Sequence, residues 1–225
     1  MIELKEVSLR YGDGTLALNN IDLTIGSGEL VYITGPSGSG KTSLLKLIMG
    51  MENPTSGTVK VLDKTLSELK SKDIRCLRQR VGPVFQELKL VPGRSALENV
   101  LMGIRFLEFS RKEMREYAID ALKKVGLSHK SHSMVENLSW GEAQRVAIAR
   151  AIARKPGLIL ADEPTGNLDQ DNAVNILNIL SSFQQQNTSV VVTTHATHLI
   201  ESQKNTTIIR MSQGTISVEK RGDGI

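Results

Sequence analysis

Cysteine is almost missing from this 225-residue chain: Cys76 stands alone. No internal disulfide can form and no thiolate metal cluster can be assembled. Cys76 falls in a helical pattern and is expected to be a partly buried, inert thiol. Long apolar runs are missing too. None approaches the roughly 20 residues that span a bilayer, and Met1 to Arg10 (MIELKEVSLR) is a charged strand pattern unlike a signal peptide, so the chain is expected to stay in the cytosol. Charge of one sign is also lacking. Lys and Arg number 28 against 24 Asp and Glu, a net charge of +4. The basic residues are spread along the chain rather than clustered, which predicts an ordinary solvated surface and no nucleic-acid partner. There is no internal repeat and no low-complexity segment. What remains, 40% hydrophobic residues over this length, can bury a full core as one domain, or as one domain with a lobe.

Two segments carry the chemistry. Gly35 to Thr42 reads GPSGSGKT, and Leu158 to Pro164 reads LILADEP. The first has the spacing of a phosphate-binding loop, and the second is an apolar strand ending in adjacent carboxylates. A triphosphate crowds negative charge that only a tightly turning backbone with several inward N–H groups can surround, so Gly35, Gly38 and Gly40 sit where side chains would obstruct. Pro36, Ser37 and Ser39 complete the loop. Lys41 supplies a point charge for the β and γ phosphates, and the Thr42 hydroxyl can ligate Mg²⁺. The helix beginning there, with Ser43 in its first turn, puts its positive end under the phosphates. Leu30 to Thr34 (LVYIT) reads as the buried strand that such a loop follows. The pair of motifs implies a nucleotide triphosphatase.

Periodicity gives the layout. Strands are predicted near 2–8, 18–25 and 30–34, with turns at Gly12 to Gly14 and Gly26 to Gly28. Pro54 to Gly57 marks a turn before a strand at Val59 to Leu62. A helix is predicted over Leu66 to Gln79, then a short strand over Val81 to Phe85. Pro83 forfeits a ladder hydrogen bond there, which suggests an edge or irregular segment. From Ser95 to about Val125 the period is helical, with Ser110 and Glu113 forming a capping box. Residues 87–140 read as a helical lobe inserted between the two nucleotide motifs. Beyond it come a helix at 139–154, the carboxylate strand, a helix at 171–185, a strand at Ser189 to Thr194, a short helix, and a hairpin turning near Gln213 and Gly214. Strand and helix alternating in the second half argue for a covered parallel sheet.

Leu138 to Arg150 (LSWGEAQRVAIAR), about 20 residues before the carboxylate strand, resembles the LSGGQ signature segment of ATP-binding cassette (ABC) ATPases. The resemblance covers nearly the whole chain. It implies an α/β P-loop NTPase core, a parallel sheet covered by helices, with an N-terminal antiparallel β subdomain and an inserted α-helical lobe, all within one domain of 1–225. It implies further roles: Gln86 as the Q-loop residue and a possible Mg²⁺ ligand, Gly166 to Asp169 (GNLD) as the D-loop, His195 as the switch histidine, and Tyr11 as the aromatic that stacks on adenine. Tyr11 is equally an exposed turn tyrosine in its local setting, and Asp169 is equally a helix N-cap. His129, His132 and His198 read as surface residues.

The mechanism the resemblance implies is in-line attack of water on the γ phosphate of ATP. Asp162 would help hold Mg²⁺, Glu163 would be the general base, and His195 would reach the γ phosphate and the Glu163 region. Two copies would stack head to tail, with Ser139 and Gly141 of one closing over the nucleotide of the other. The chain departs from the family pattern at Trp140, which replaces the first glycine of the signature and either blocks backbone approach or points away. It departs also at Ala143 in place of a glutamine, at Pro83, and at Ala196 after the switch histidine. ADEPTGNLD and LRQRVGPVFQELKLVP look most like the subgroup that holds the cell-division (FtsE-type), lipoprotein-releasing (LolD-type) and MacB-type cassettes, the first being nearest. That implies a separate integral membrane subunit, FtsX-like or a permease, and peripheral association with the cytoplasmic face of the plasma membrane through it. Leu88, Leu90, Val91 and Pro92 would either form the groove for that subunit or be lobe core. A solute transporter, a DNA or ribosome protein, and a cassette that binds ATP without hydrolysing it are the other classes, the second disfavoured because the chain has no room for a coiled-coil insertion or a second cassette.

Overall fold

The computed structural model describes residues 1–200, 203 and 205–221. The N-terminal strands alternate buried and exposed side chains, as expected of a sheet wet on one face. β1 (Ile2–Arg10) pairs antiparallel with β2 (Leu16–Ile25) and with β4 (Ser56–Val61), and β5 (Lys64–Thr65) extends this sheet in the order β2-β1-β4-β5. β4 ends at Val61, one residue short of expectation, because Leu62 and Asp63 take positive φ and turn the chain into β5.

The second sheet is differently patterned. β3 (Leu30–Thr34) and β8 (Ser189–Thr194) are buried at every position, and β7 (Leu158–Asp162) at all but its last. Such unbroken apolar runs belong to parallel strands covered on both faces. With β6 (Val81–Val84), β9 (Thr206–Ser212) and β10 (Thr215–Arg221) they form the order β10-β9-β3-β8-β7-β6, all parallel except the closing β9–β10 hairpin. Pro83 lies on β6, the edge strand, where its missing N–H costs no ladder bond.

Helices cover the parallel sheet: α1 (Lys41–Ile48), α2 (Ser71–Gln79), α3 (Ala96–Ile104), α4 (Arg111–Lys124), α5 (Trp140–Ile152) and α6 (Gln170–Ser181). Ser95, Ser110 and Ser139 each cap a helix and are bonded back by Glu98, Glu113 and Glu142, so the predicted box at Ser110 is present among three of its kind. One core joins α3, α4, α5 and α6 to one face of the sheet; a second joins α1 to its other face and to the antiparallel sheet.

Four further expectations need correction. The helix over 66–79 is two pieces, a 3₁₀ turn at Leu66–Glu68 and then α2, because Lys70 is extended and its N–H is capped by Asp73. The helix predicted to reach 185 stops at Ser181. Ser181 and Ser182 turn their hydroxyls back onto the carbonyls of Asn178 and Ile179, and Gln185 pairs with Thr188 in a turn. Cys76 is exposed, not partly buried. The basic residues, scattered in sequence, are partly gathered in space: Arg94, Arg105, Arg111 and Arg115 surround one groove of about 630 Å³ between α3 and α4.

Candidate nucleotide site

Because β6, β7, β8, β3 and β9 run parallel, their C-terminal ends share one edge, where ligands bind in open α/β sheets. The register makes this concrete. Thr34 lies beside Thr194, and Asp162 beside Thr193. The chain leaving β3 is the phosphate loop, the chain leaving β7 is Glu163, and the residue after β8 is His195. Gln86 follows β6 by two. Four segments far apart in sequence thus converge on one rim.

The loop leads into α1 through Gly40, which caps that helix at φ 106°. A Cβ there would sit 2.5 Å from the Ala17 carbonyl oxygen in β2, so only glycine fits both the conformation and the approach. A cleft of about 690 Å³ opens over the loop. It is floored by Pro36, Ser37, Gly38, Gly40, Lys41, Thr42 and Ser43, walled by Tyr11, Thr15, Leu16 and Ala17 from the first hairpin, and closed by Gln86, Glu163 and His195. Gly35 and Ser39 shape the loop from behind: the Lys41 ammonium donates to Gly35 O at 2.8 Å, and Ser39 is buried. Tyr11 stands at the cleft wall with its hydroxyl 3.0 Å from Ser43 Oγ.

The charged groups interlock. Lys41 Nζ lies 3.3 Å from Glu163 Oε1, the lysine buried and the glutamate partly so, and also donates to Pro36 O at 3.0 Å. Glu163 Oε2 is 2.8 Å from His195 Nδ1 and accepts a bond from the His195 backbone N–H. Glu163 itself sits at φ 45°, which turns its carboxylate away from the line of β7. The Thr42 hydroxyl donates to Asp162 Oδ1 at 3.3 Å. A carboxylate this close to the Thr42 hydroxyl, with Gln86 lining the same cleft as Thr42, offers a sparse all-oxygen donor set. That suits Mg²⁺, which keeps most of its waters and takes further ligands from phosphate.

Thr193 and Thr194 were not singled out in the sequence. Thr193 Oγ1 donates to Asp162 Oδ1 at 2.7 Å and accepts from Glu163 N–H at 2.9 Å, so one hydroxyl orients both carboxylate residues. Thr194 Oγ1 accepts from Ala196 N–H at 3.0 Å and folds the turn that aims His195. The signal that could have found them is two hydroxyls ending an otherwise apolar run, VVVTT.

Ser139, Gly141 and Asp169 do not line this cleft. Ser139 caps α5 and Asp169 caps α6, accepting from Asn172 N–H at 2.9 Å. That bond and the Asn172 side chain hold the Asp169 carboxyl below its ordinary pKa. Gly141 is buried, and a Cβ there would lie 3.3 Å from Asn172 Oδ1. The signature and the GNLD segment are therefore neighbours away from this cleft, with Ser139 and Asp169 exposed and Gly141 packed against Asn172. Trp140 is half-exposed and lines a groove with Glu87, Leu88, Leu90 and Leu138, outside the phosphate cleft. Trp140→Gly is accordingly expected to leave ATP turnover within about fivefold of the parent, the change that a shift of about 1 kcal/mol in the barrier produces. Steady-state phosphate release checks this, and a rise above tenfold would mean that the indole obstructs the reaction.

The comparisons agree with this geometry. The ABC transporter family profile matches residues 18–166. The cell division ATP-binding protein FtsE of Bacillus subtilis is 38% identical over 223 residues, 99% of this chain and 98% of that protein. FtsE of Escherichia coli is 37% identical over 214 residues, 95% of this chain and 96% of that protein. Among solved structures, an ATP-binding cassette captured as a dimer in a post-hydrolysis state bound to ADP and Pi is 36% identical, with a TM-score of 0.87 over 98% of both chains. With a phosphate loop, paired carboxylates and a histidine brought to one rim, and with relatives matched along nearly its full length, the chain belongs to the ABC transporter family and is one of its ATP-hydrolysing cassettes.

Proposed function

We propose that this cassette is the ATPase subunit of a membrane complex acting in cell division, and that ATP-driven closure of two copies is its working stroke. The observation that carries the enzymatic half is Glu163 held between Lys41 and His195 at the mouth of the phosphate cleft. The phosphate-loop N–H groups and Lys41 bind the triphosphate, and Tyr11 stacks on the base. Thr42, Asp162 and Gln86 hold Mg²⁺, which when bound neutralises charge on the phosphate oxygens. Glu163 orients the attacking water and takes its proton; His195 fixes the Glu163 carboxylate and reaches the γ phosphate. The exposed Ser139 and Asp169, with Gly141 behind Ser139 in the first turn of α5, meet the nucleotide held by a second copy. Residues 1–225 act as one domain, with 87–140 as its helical lobe.

The cell-division assignment rests on the similarity to FtsE along the chain. None of the described helices is long and apolar enough to cross a membrane, and the proposed location is the cytoplasmic face, reached through a separate subunit. We place that subunit's docking on the groove between α3 and α4. Its floor is apolar (Leu101, Met102, Met114), its rim carries the four arginines against one acid, Glu98, and Phe106 beside it is 83% exposed. This chemistry fits an acidic amphipathic segment. Leu88, by contrast, is core, packed on Ala143 and Ala147. Co-expression with an FtsX-like membrane subunit tests the reading. The pair is expected to survive detergent extraction, and Arg111→Glu with Arg115→Glu is expected to weaken it at least tenfold while ATP turnover of the free cassette stays near the parent, because an attractive rim becomes a repulsive one. Depletion should leave undivided cells. Loss of uptake or export of a solute with normal division would instead favour a transporter of the same subgroup.

A further inference from the structure

The segment after Gln86 is built unlike any other loop of the cleft. Leu88 and Lys89, neither of them glycine, are consecutive residues at φ 52°. Two left-handed residues in a row are unfavourable for side chains with a Cβ and persist only where the surroundings hold them. What holds them is α5. Ala143, Ala147 and Arg150 fall on one face of that helix, at i, i+4 and i+7. The Leu88 side chain is buried on the two alanines. The Arg150 guanidinium donates one N–H to the Leu88 carbonyl and another to the Lys89 carbonyl. Its stem passes over Gly103 of α3, where a Cβ would collide with Arg150 Cγ. Burial, with Arg154 nearby, holds the Arg150 pKa below that of a free guanidinium, and a planar fork is the side chain able to serve two carbonyls at once.

We propose that Arg150 is a positioning residue for ATP hydrolysis: by clamping the Leu88–Lys89 turn onto α5 it fixes where Gln86 enters the nucleotide cleft, and it thereby ties that cleft to the helix headed by Ser139 and Gly141. The inference rests on the role proposed above for Gln86. It gives Ala143 a purpose, since a larger side chain there would displace Leu88. It also separates Arg150 from Arg154, which bonds to the carbonyls of Arg78, Val81 and Gly103 and joins α2, β6 and α3 away from Gln86.

Steady-state ATP turnover of the full chain, as a function of ATP and of Mg²⁺, tests the clamp. Arg150→Met keeps the stem and removes the fork; kcat is expected to fall about tenfold or more with the KM for ATP within about threefold, because the phosphate loop is untouched. Arg150→Lys should recover only part of the loss. Arg154→Met should lower thermal stability and leave kcat near the parent. Trp140, the sole tryptophan, lines the groove against Glu87 and Leu88, so acrylamide quenching should rise in Arg150→Met and not in Arg154→Met. The deciding measurement is a cycle with Gln86→Ala. If Arg150 acts through Gln86, the double variant is no slower than Gln86→Ala alone. Multiplying losses, or parental turnover in Arg150→Met beside a slow Gln86→Ala, overturns the clamp. Parental turnover in Gln86→Ala itself overturns the reading of Gln86 instead. Should Arg150→Met fail to fold, Arg150→Lys and Gly103→Ala, which crowds the stem, carry the same cycle.

Discussion

Glu163→Gln is expected to lower ATP turnover by about 10²- to 10⁴-fold, the usual contribution of a positioned general base, while ATP binding is retained. The amide is nearly isosteric with the carboxylate and can still accept from the His195 backbone N–H, now 3.3 Å away. It cannot take a proton from water. Removing a negative charge that lies 3.3 Å from Lys41 Nζ also frees the ammonium for phosphate and removes repulsion against the triphosphate. Affinity should therefore be unchanged or tighter, and the variant should accumulate as an ATP-dependent dimer, since the step that opens the pair is blocked. Phosphate release measures the first effect; light scattering after size exclusion with ATP and Mg²⁺ measures the second. Turnover at the parental rate would show that Glu163 is not the base, whatever the oligomeric state.

Lys41→Ala is expected to cost at least about 100-fold in ATP affinity. A hydrogen bond to a charged group is worth roughly 1.5–3 kcal/mol, and here the loss is compounded. Glu163 would be left partly buried without its cation, its charge opposing an incoming triphosphate. Breaking a buried pair by removing one partner costs about 3–5 kcal/mol of stability when nothing compensates. His195 Nδ1, 2.8 Å from the other Glu163 oxygen, remains as a partner and should keep the cost at the lower end. Titration with a fluorescent ATP analogue reads the affinity, and thermal denaturation without nucleotide separates it from misfolding. Affinity within threefold of the parent would remove Lys41 from the phosphate site.

These two residues were legible before any coordinates because phosphate chemistry is locally demanding. A loop that must present several N–H groups, a cation and a hydroxyl to one triphosphate has to be contiguous, and GPSGSGKT is. The carboxylate pair was legible for a related reason: a fully buried parallel strand announces itself as an unbroken apolar run, and LILADEP ends one. Tyr11 and His195 depended on resemblance, and the structure puts both at the cleft. Thr193 and Arg150 escaped notice because their work is done across strands and across the lobe. Nothing in VVVTT says that the first threonine lies in register with Asp162, and nothing in AIAR says that an arginine on α5 faces two carbonyls 61 and 62 residues earlier.

The overextended helices have the same origin. Helical periodicity over 66–79 and 171–185 is present, but Asp73 reaching back to Lys70 splits the first helix and the Gln185–Thr188 pair follows the early end of the second, contacts that periodicity does not encode. The arginine groove is a further case: four residues between 94 and 115 look dispersed along the chain and are brought face to face by packing α3 on α4.

What the sequence determined by itself was the class of chemistry, the phosphate loop, the buried strands and most of the helices, because backbone geometry and burial are imposed by neighbours within a few residues. Tertiary structure alone decided which strand ends share a rim, which hydroxyls orient Asp162 and Glu163, and which helix holds the turn after Gln86. Those outcomes depend on register between distant segments, and register is fixed only when the whole core closes around them.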